Sequence, residues 1–418
     1  MRRRSLLTLA PLGLVSACGI VPGGGSDRRA VQVWLMKDSA STDFVRDFTA
    51  EFERAHDNLR LDIRIQEWTG IGEKVQAALD KDTGDGPDVI EVGNTQVSQY
   101  VERDRLLDLT LESRLHWGSR DWLPGLAEPG QFIGHQYGIP WYAANRVVIY
   151  RKDLFARAGV KAPPRTRDDW LDLTEQLNSG GNQGIYLAGQ DWYTLAGFIW
   201  EEGGELADDG DGGGWRGTLD TAAALRGMDF YRRLQALGKG PVDADEEHPP
   251  QAGEFAKGKV AQIIAVPGLA RTVVQQNPEL EGKLGFFPVP GRTAGRPGAV
   301  FTGGSDLVVP NNTHDQDGAV AVVAALAGAK WNTRLAEAMN YVPNKKTLAR
   351  SVADEEGVAA MAAGAARGRA TPSTAQWGAV EADNPIKAYM TKVLGGADPA
   401  TEAKRASRQI TEMLNAID

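Results

Sequence analysis

The chain reads Val31-Gln-Val-Trp-Leu35 near its start and Leu59-Arg-Leu-Asp-Ile-Arg-Ile65 further on. Both segments alternate apolar with polar residues, which is typical of β-strands with one buried face. Between them Phe44, Phe48 and Phe52 recur at intervals of four residues, so they share one face of a helix. This order of strand, helix and strand predicts a parallel sheet covered by helices, and hence an α/β fold.

The composition of the chain argues against some classes of protein. The 418 residues carry a formal net charge of −9, and removal of the first 17, which hold three arginines and no acid, lowers it to −12. Such a surface disfavours nucleic acid as a partner, because nucleic acid binding rewards clustered Lys and Arg. With a single cysteine the fold cannot rely on disulfides, and the remaining chain is long enough for two domains.

The N terminus has the pattern of an export signal. A triplet of arginines precedes an apolar run from Leu6 to Val15, which is too short to span a bilayer. The run ends in Val-Ser-Ala-Cys18, which resembles a lipobox, whose cysteine receives a diacylglyceryl group. We therefore predict a signal peptide over residues 1–17, then lipidated Cys18 and a flexible tether over residues 18–29. The protein is expected outside the cell membrane, anchored to its outer face, with the general secretory and twin-arginine routes both open.

Motifs for catalysis are weak throughout. Gly253 to Lys259 has the spacing of a phosphate-binding loop, but Val260 follows where a hydroxyl should ligate magnesium. Asp209 and Asp211 suggest a calcium loop, yet a glycine occupies the next ligand position. The chain has neither an HExxH pair nor a GxSxG elbow. We therefore predict a protein that is not an enzyme and has no cofactor and no metal site.

Aromatic and polar residues collect instead at predicted strand ends and loops. These groups are Lys37-Asp38, Gly93-Asn94-Thr95, Pro140-Trp141-Tyr142, Asp191-Trp192-Tyr193, Trp200-Glu201 and Gly303-Gly304-Ser305-Asp306. Ligands of open α/β sheets bind beyond the carboxyl ends of the strands. Aromatic faces pack on the C–H faces of a pyranose ring, while acids and amides bind its hydroxyl groups. The pattern favours a carbohydrate site over the alternative that every one of these tryptophans is a core residue.

Several stretches carry a family resemblance. They are Tyr137-Gly-Ile-Pro-Trp-Tyr-Ala-Ala-Asn-Arg-Val-Val-Ile-Tyr-Arg-Lys-Asp-Leu-Phe155, Gly86-Pro-Asp-Val89, Phe255-Ala-Lys-Gly-Lys259, Phe287-Pro-Val-Pro-Gly291 and Gly303-Gly-Ser305. With the lipobox, they make the chain similar to the bacterial extracellular solute-binding proteins, in particular the sugar receptors of ABC importers related to the maltose-binding protein. The resemblance implies two α/β lobes, each a mostly parallel sheet flanked by helices, with the solute in the cleft between them.

The resemblance also implies lobe boundaries and ligand contacts. Residues 30–140 with 268–312 are expected to form the first lobe, and residues 141–267 with 313–418 the second. By position, the residues implied to touch sugar are Asp38, Asn94, Thr95, Trp141, Trp192, Tyr193 and Trp377. Relatives commonly carry a stacking tryptophan where this chain has Gly268, so that subsite is expected to be missing or supplied by Trp200 or Trp331.

The function that the resemblance implies is a receptor that captures a mono- or oligosaccharide and delivers it to membrane-embedded ABC permease subunits by hinge closure. We expect it to be a monomer. One alternative is a receptor for a non-sugar solute: glycerol phosphate would require a basic cluster, and only Lys37 and Arg146 are basic among the candidates. A polyamine would favour acids boxed by aromatics, which Asp38, Glu201 and Asp306 do not exclude. The other alternative is a secreted carbohydrate-active enzyme.

Overall fold

The computed structural model describes residues 28–81, 86–209, 214–365, 367–372, 374 and 376–416. The predicted signal peptide over residues 1–17, Cys18 and the tether up to residue 27 lie outside the described residues. Within the ranges given, no helix combines the length and the apolar character needed to cross a bilayer.

The described residues form short strands and many helices. The strands are β1 (Arg29–Met36), β2 (Leu59–Gln66), β3 (Val89–Gly93), β4 (Gln131–Phe132), β5 (His135–Gln136), β6 (Ile139–Asn145), β7 (Val147–Arg151), β8 (Ala207–Asp208), β9 (Arg216–Gly217), β10 (Gln262–Ala265), β11 (Leu284–Pro288), β12 (Val300–Val308), β13 (Val342–Pro343) and β14 (Gly368–Arg369). The α-helices are α1 (Thr42–Ala55), α2 (Ile71–Leu79), α3 (Val97–Glu102), α4 (Thr110–Leu115), α5 (Pro124–Ala127), α6 (Lys152–Arg157), α7 (Arg167–Leu177), α8 (Trp192–Glu201), α9 (Ala222–Gln235), α10 (Gln251–Ala256), α11 (Leu269–Gln276), α12 (Gln316–Leu326), α13 (Ala329–Met339), α14 (Lys346–Ala349), α15 (Glu356–Ala365), α16 (Trp377–Asp383), α17 (Pro385–Leu394) and α18 (Pro399–Leu414). Short 3-10 helices cover Asn94–Gln96, Ser119–Asp121, Glu128–Gly130, Pro278–Leu280 and Arg350–Val352.

The larger sheet confirms the predicted α/β fold. Its strand order is β13-β6-β12-β3-β1-β2, with β14 paired to β12. β1 pairs in parallel with β2 and β3, whereas β12 runs antiparallel to both β3 and β6. β6 therefore runs in the same direction as β1 and β3, so the carboxyl ends of these three strands meet at one edge of the sheet.

Helix α1 shows why the opening stretch folds as predicted. Phe44, Phe48 and Phe52 are all buried, and Ser41 caps the helix by accepting a hydrogen bond from the Phe44 N–H. The indole of Trp331 on α13 lies edge-on to Phe44 at 5.4 Å and to Phe48 at 5.2 Å. The phenylalanine stripe is thus the contact between α1 and α13, and Trp331 belongs to this core rather than to a sugar subsite.

The smaller sheet, of order β10-β7-β11, differs from the expected mostly parallel sheet. β7 pairs antiparallel with both neighbours, and isolated parallel bridges next to this sheet join Gln183 to Val260 and Tyr186 to Ile263. The predicted helix after Thr166 is confirmed, because a capping box with Asp169 opens α7.

The two sheets correct the expected lobe boundaries. The chain passes from the first sheet to the second between β6 and β7, at residue 146, so residues 141–145 belong to the first sheet. It returns only between β11 and β12, because β11 pairs with β7, so residues 268–288 belong with the second sheet. Helices α12 and α13 pack on the first sheet, not in the second lobe. We call the units built on the larger and smaller sheets the first lobe and the second lobe.

Candidate functional site

The carboxyl edge of the first sheet holds a buried polar network. Glu91 in β3 is fully buried and accepts hydrogen bonds from the Met36 N–H at 2.7 Å and from the Tyr142 hydroxyl at 3.0 Å. That hydroxyl also lies 2.9 Å from Ser39 Oγ and accepts a hydrogen bond from Ser305 Oγ at 3.1 Å. Burial raises the pKa of Glu91, although these hydrogen bonds oppose the shift. Tyr142 and Ser305 therefore lie at the predicted edge, where their hydrogen bonds link β6, β12 and β3.

Tyr341 fills the space beside Gly268. Its ring stacks on Tyr142 with centroids 4.1 Å apart and planes 6° apart. A β-carbon at Gly268 would lie 3.3 Å from the Tyr341 ring and 2.9 Å from the carbonyl oxygen of Met339. A larger side chain has no room there, and the aromatic ring next to Gly268 is that of Tyr341 rather than of Trp200 or Trp331.

A group of charged and aromatic side chains lies where the chain enters the second lobe. The guanidinium of Arg146 lies 2.6 Å from Glu246 Oε1 and 3.6 Å from Asp191 Oδ1. The same guanidinium lies over the ring of Tyr193, 4.6 Å from its centroid. Asp191 also caps α8 by accepting a hydrogen bond from the Thr194 N–H. We call Arg146, Asp191, Tyr193 and Glu246 the boundary cluster.

Burial sets the electrostatics of the boundary cluster. It raises the pKa of Asp191 to about 7, with Glu246 adding to the shift and Arg146 opposing it. For Arg146, burial disfavours the charged form, but the two carboxylates outweigh it and raise the pKa of the guanidinium. The arginine is therefore a fixed positive charge that is already paired within the protein.

Aromatic rings surround Tyr193. Its centroid lies 3.9 Å from that of Trp192 and 4.4 Å from that of Phe301, and Trp192 lies 6.4 Å from Trp377. Tyr193 is half-buried, whereas the Trp192 and Trp377 rings are buried in this arrangement. The structure therefore brings together three of the predicted stacking residues, Trp192, Tyr193 and Trp377, in the second lobe.

Glu381 holds one of these rings. Its carboxylate accepts a hydrogen bond from Trp377 Nε1 at 2.9 Å, one turn along α16. Burial raises the pKa of Glu381 to about 7, against an ordinary value of 4.5. The folded protein therefore holds this proton more tightly than the unfolded chain does, so stability falls as the pH rises from about 4.5 to about 7.

We expect the Glu381→Gln variant to lose less stability than the wild type over this pH range. Glutamine keeps an acceptor oxygen for Trp377 and removes the buried ionisation, while the slope due to Asp191 is common to both proteins. Melting temperatures across the range measure the difference, with Glu128→Gln at an exposed site as the control. Identical pH profiles of stability for wild type and Glu381→Gln would show that Glu381 does not cause the loss of stability.

Hydrogen bonds between side chains join the lobes at this boundary. Thr69, beyond the carboxyl end of β2, donates its hydroxyl to Glu247 Oε2 at 2.8 Å. Thr272 on α11 donates to Asp38 Oδ1 at 3.1 Å. Asp38 is exposed and has a left-handed φ of 64°, a conformation that aspartate tolerates better than most residues. Because Ser41 caps α1, the carboxylate of Asp38 has no role in that cap.

Asn94 and Thr95 lie directly beyond β3, in a 3-10 helix that leads into α3. Asn94 is buried and Thr95 is half-buried. Gln99 on α3 occupies the space that a β-carbon at Gly378, next to Trp377, would need. Asn94 and Thr95 are therefore one short helix away from the aromatic group of the second lobe, and their contact with ligand stays a prediction.

The structure places Trp141 and Asp306 in the core rather than in the cleft. Trp141 has no exposed surface, and its carbonyl oxygen accepts a hydrogen bond from the side chain of Asn332. Asp306 does not follow a strand but lies within β12, opposite Val92, where it is completely buried. Burial raises the pKa of Asp306 well above its usual value. Neither side chain can reach a ligand between the lobes in this arrangement.

Trp200 and Glu201 also lie away from the boundary. They end α8, about 12 Å along the helix from Trp192 and Tyr193 at its start. The carboxylate of Glu201 accepts hydrogen bonds from the N–H groups of Arg292 and Ala299, both at 3.1 Å, and pairs with Arg367 at 2.6 Å. Glu201 therefore holds loops of the second lobe together. Gly304 stays near the boundary, where its lack of a side chain lets β12 approach the carbonyl of Tyr142.

We expect the Trp141→Ala variant to lose stability but not affinity. Truncation of a buried tryptophan removes packing and leaves a cavity, at a cost of about 3–5 kcal/mol in the free energy of unfolding. Denaturant titration measures the stability, and calorimetry on the folded variant measures the affinity for the ligand. Weakened binding with unchanged stability would instead indicate that Trp141 contacts the ligand in the cleft.

Two α/β lobes, joined by crossing segments and carrying aromatic and acidic side chains at their boundary, define a solute-binding receptor of the hinged, two-lobed class. The chain belongs to the bacterial extracellular solute-binding protein family, whose profile matches residues 38–333.

Comparison with known proteins agrees with this assignment. The chain is 35% identical over 432 aligned positions to the diacetylchitobiose binding protein DasA of Streptomyces coelicolor, with 99% of each chain covered. Its fold matches the GacH receptor of Streptomyces glaucescens with a TM-score of 0.83 at 23% identity, covering 94% of this chain and 100% of that one. A solute-binding protein of Thermotoga lettingae matches with a TM-score of 0.82 at 20% identity, covering 93% and 100%. These likenesses confirm the two-lobed fold that the sequence predicts.

Proposed function

We propose that this protein is the saccharide receptor of an ABC importer. It captures a mono- or oligosaccharide outside the cell membrane and delivers it to the permease by closure of the two lobes. The observation that carries this proposal is the aromatic group of Trp192, Tyr193 and Trp377. The carboxylate of Glu381 and the first-lobe amide of Gln99 lie beside it. Aromatic rings suit the apolar faces of a pyranose, and carboxylates and amides suit its hydroxyls.

The relative named for binding diacetylchitobiose suggests the first saccharide to try, because it matches this chain over nearly its whole length. The acetamido groups of that disaccharide add N–H donors and carbonyl acceptors, which Asp38, Glu247 and Asn94 can bind. We therefore propose a saccharide of this size and polarity as the ligand, with the aromatic group as its platform.

The charges at the boundary argue against the non-sugar alternatives. The two basic candidates are already paired, Lys37 with Glu67 at 2.9 Å and Arg146 with Glu246 at 2.6 Å. A phosphate ligand would have to compete with these carboxylates. A polyamine would meet the positive charge of Arg146 over Tyr193. Glycoside hydrolysis needs two carboxylates that face each other across a cleft, whereas Glu201 holds loops of the second lobe together and Asp306 lies in the core.

A thermal-shift panel followed by calorimetry tests the proposal. The panel contains N,N'-diacetylchitobiose, N-acetylglucosamine, maltose, glycerol 3-phosphate and spermidine, and a chromogenic glycoside is assayed in parallel. A ligand at 100 times its dissociation constant should add about 2.7 kcal/mol to the stability. Stabilisation by a saccharide without turnover supports the receptor. Stabilisation by glycerol 3-phosphate or spermidine alone, or hydrolysis of the glycoside, contradicts it.

We also propose that Cys18 carries a lipid anchor and that the receptor works as a monomer on the outer face of the membrane. The proposal rests on the Val-Ser-Ala-Cys18 ending and on the absence of any other cysteine from the sequence. We expect Cys18→Ala to release the protein from membranes or to leave it unprocessed. Fractionation of cells that express the variant measures this, and normal processing with an unchanged membrane fraction would contradict the anchor.

A further inference from the structure

A cavity lies in the second lobe, apart from the boundary cluster. It has a volume of about 300 Å³ and lies between the paired strands β8 and β9 and the segment that follows β14. Its walls include Trp200 and Trp215, together with Glu205, Asp208, Arg369 and Thr371. This volume is at the lower end of the range for small-molecule sites in proteins.

The walls of this cavity are held in place by the fold. Arg369 forms a two-pronged ion pair with Glu205, both contacts at 2.8 Å, and its guanidinium lies 5.6 Å from the centre of the Trp200 ring. Asn415, directly after α18, forms two hydrogen bonds with the backbone of Trp215. It accepts one from the N–H at 3.1 Å and donates one to the carbonyl at 2.6 Å. The Trp200 ring and the Trp215 backbone are therefore held in place without any contact from a ligand.

Two polar atoms at this cavity are buried and have no hydrogen-bond partner among the described residues. They are Oδ1 of Asp208 and Oγ1 of Thr371. The other oxygen of Asp208 is already bound to Arg216 at 2.9 Å. Buried polar groups in native folds nearly always have a hydrogen-bond partner, because leaving one unpaired destabilises the fold, so these two atoms call for a partner. Here an acceptor and a hydroxyl lie beside aromatic rings in one cavity.

We propose that this cavity is a second saccharide site, which binds one pyranose unit independently of the cleft between the lobes. The carboxylate oxygen of Asp208 accepts a hydrogen bond from a sugar hydroxyl or acetamido N–H. The hydroxyl of Thr371 binds a further ring oxygen or hydroxyl, and the indole of Trp215 packs on the C–H face. A site of this kind on the receptor would hold the protein close to glycans that supply its ligand.

Fluorine NMR on the purified protein labelled with 5-fluorotryptophan tests this proposal. The Trp200 and Trp215 signals are assigned with Trp200→Phe and Trp215→Phe, and N-acetylglucosamine, glucose, galactose, mannose and xylose are titrated into the tens of millimolar. We expect at least one sugar to shift both signals in the wild type and equally in Tyr193→Ala, whose cleft is impaired. The Trp170 signal, from a buried ring in the core of the second lobe, serves as the unshifted reference.

The double variant Asp208→Asn with Thr371→Val should weaken these shifts at least fivefold, with its melting temperature as the check on folding. The proposal is overturned if no sugar shifts the two signals, if glycerol at equal concentration shifts them as much, or if the double variant binds as well as the wild type. Loss of the shifts in Tyr193→Ala would also overturn it, because the cavity would then depend on the cleft. If sugars shift the Trp200 and Trp215 signals but none binds in the cleft, the second saccharide site is supported and the proposed function is refuted.

Discussion

We expect the Tyr193→Ala variant to bind its saccharide about 5- to 150-fold more weakly than the wild type, a loss of about 1–3 kcal/mol. Tyr193 is the half-buried member of the aromatic group, so it is the ring that a ligand between the lobes can reach. Its loss also removes the support for Trp192, whose centroid lies 3.9 Å away. Calorimetry with the saccharide selected by the thermal-shift panel measures the change.

The control for this variant is Tyr193→Phe, which keeps the ring over the Arg146 guanidinium. It should retain most of the affinity if the aromatic face is what binds, whereas equal losses in both variants would assign the effect to the hydroxyl. If the folded Tyr193→Ala protein binds the saccharide as tightly as the wild type, the aromatic group is not part of the binding site.

The second large effect concerns Arg146. Replacement with methionine leaves Asp191 and Glu246 without their shared cation in a poorly hydrated site, and loss of one partner of a buried pair costs about 3–5 kcal/mol. We therefore expect Arg146→Met to lower the free energy of unfolding by about 3 kcal/mol or more. Part of this loss should be recovered at low pH, because protonation of Asp191, whose pKa is raised to about 7, removes one of the unpaired charges.

Denaturant titration at two pH values measures the Arg146→Met effect. The matched control is Arg64→Met, which breaks an exposed ion pair with Asp62 at 2.7 Å and should cost less than about 1 kcal/mol. Equal costs for the two variants would show that the boundary cluster is no more than a surface ion pair.

Local periodicity was enough to predict the architecture of the first lobe. The phenylalanine stripe of α1 and the alternation in β1 and β2 depend on neighbours in the sequence, and the structure confirms both. The capping box at Thr166 is likewise a local signal. The lobe boundaries were wrong because they depend on long-range pairing: nothing near β11 in the sequence reveals that it pairs with β7.

In the candidate site too, local sequence signals were not enough where a residue's role depends on distant parts of the chain. Trp141 and Trp192 each precede a tyrosine, so the sequence could not separate the core residue from the one at the boundary. The two glycines before Asp306 indicate a strand end, but β12 continues through them. The role of Arg146 depends on Glu246, one hundred positions away, and only the fold brings the two together.

Closure of the two lobes around a saccharide is the central claim, and a distance measurement between them tests it most directly. Cys18 is the only cysteine, so in a Cys18→Ala background spin labels can be attached at Glu73→Cys in the first lobe and Asp243→Cys in the second, on either side of the contact between Thr69 and Glu247. Pulsed electron-spin resonance then gives the distance distribution with and without saccharide. We predict a shorter and narrower distribution when saccharide saturates the protein. An unchanged distribution at a concentration where calorimetry shows full binding would contradict the account.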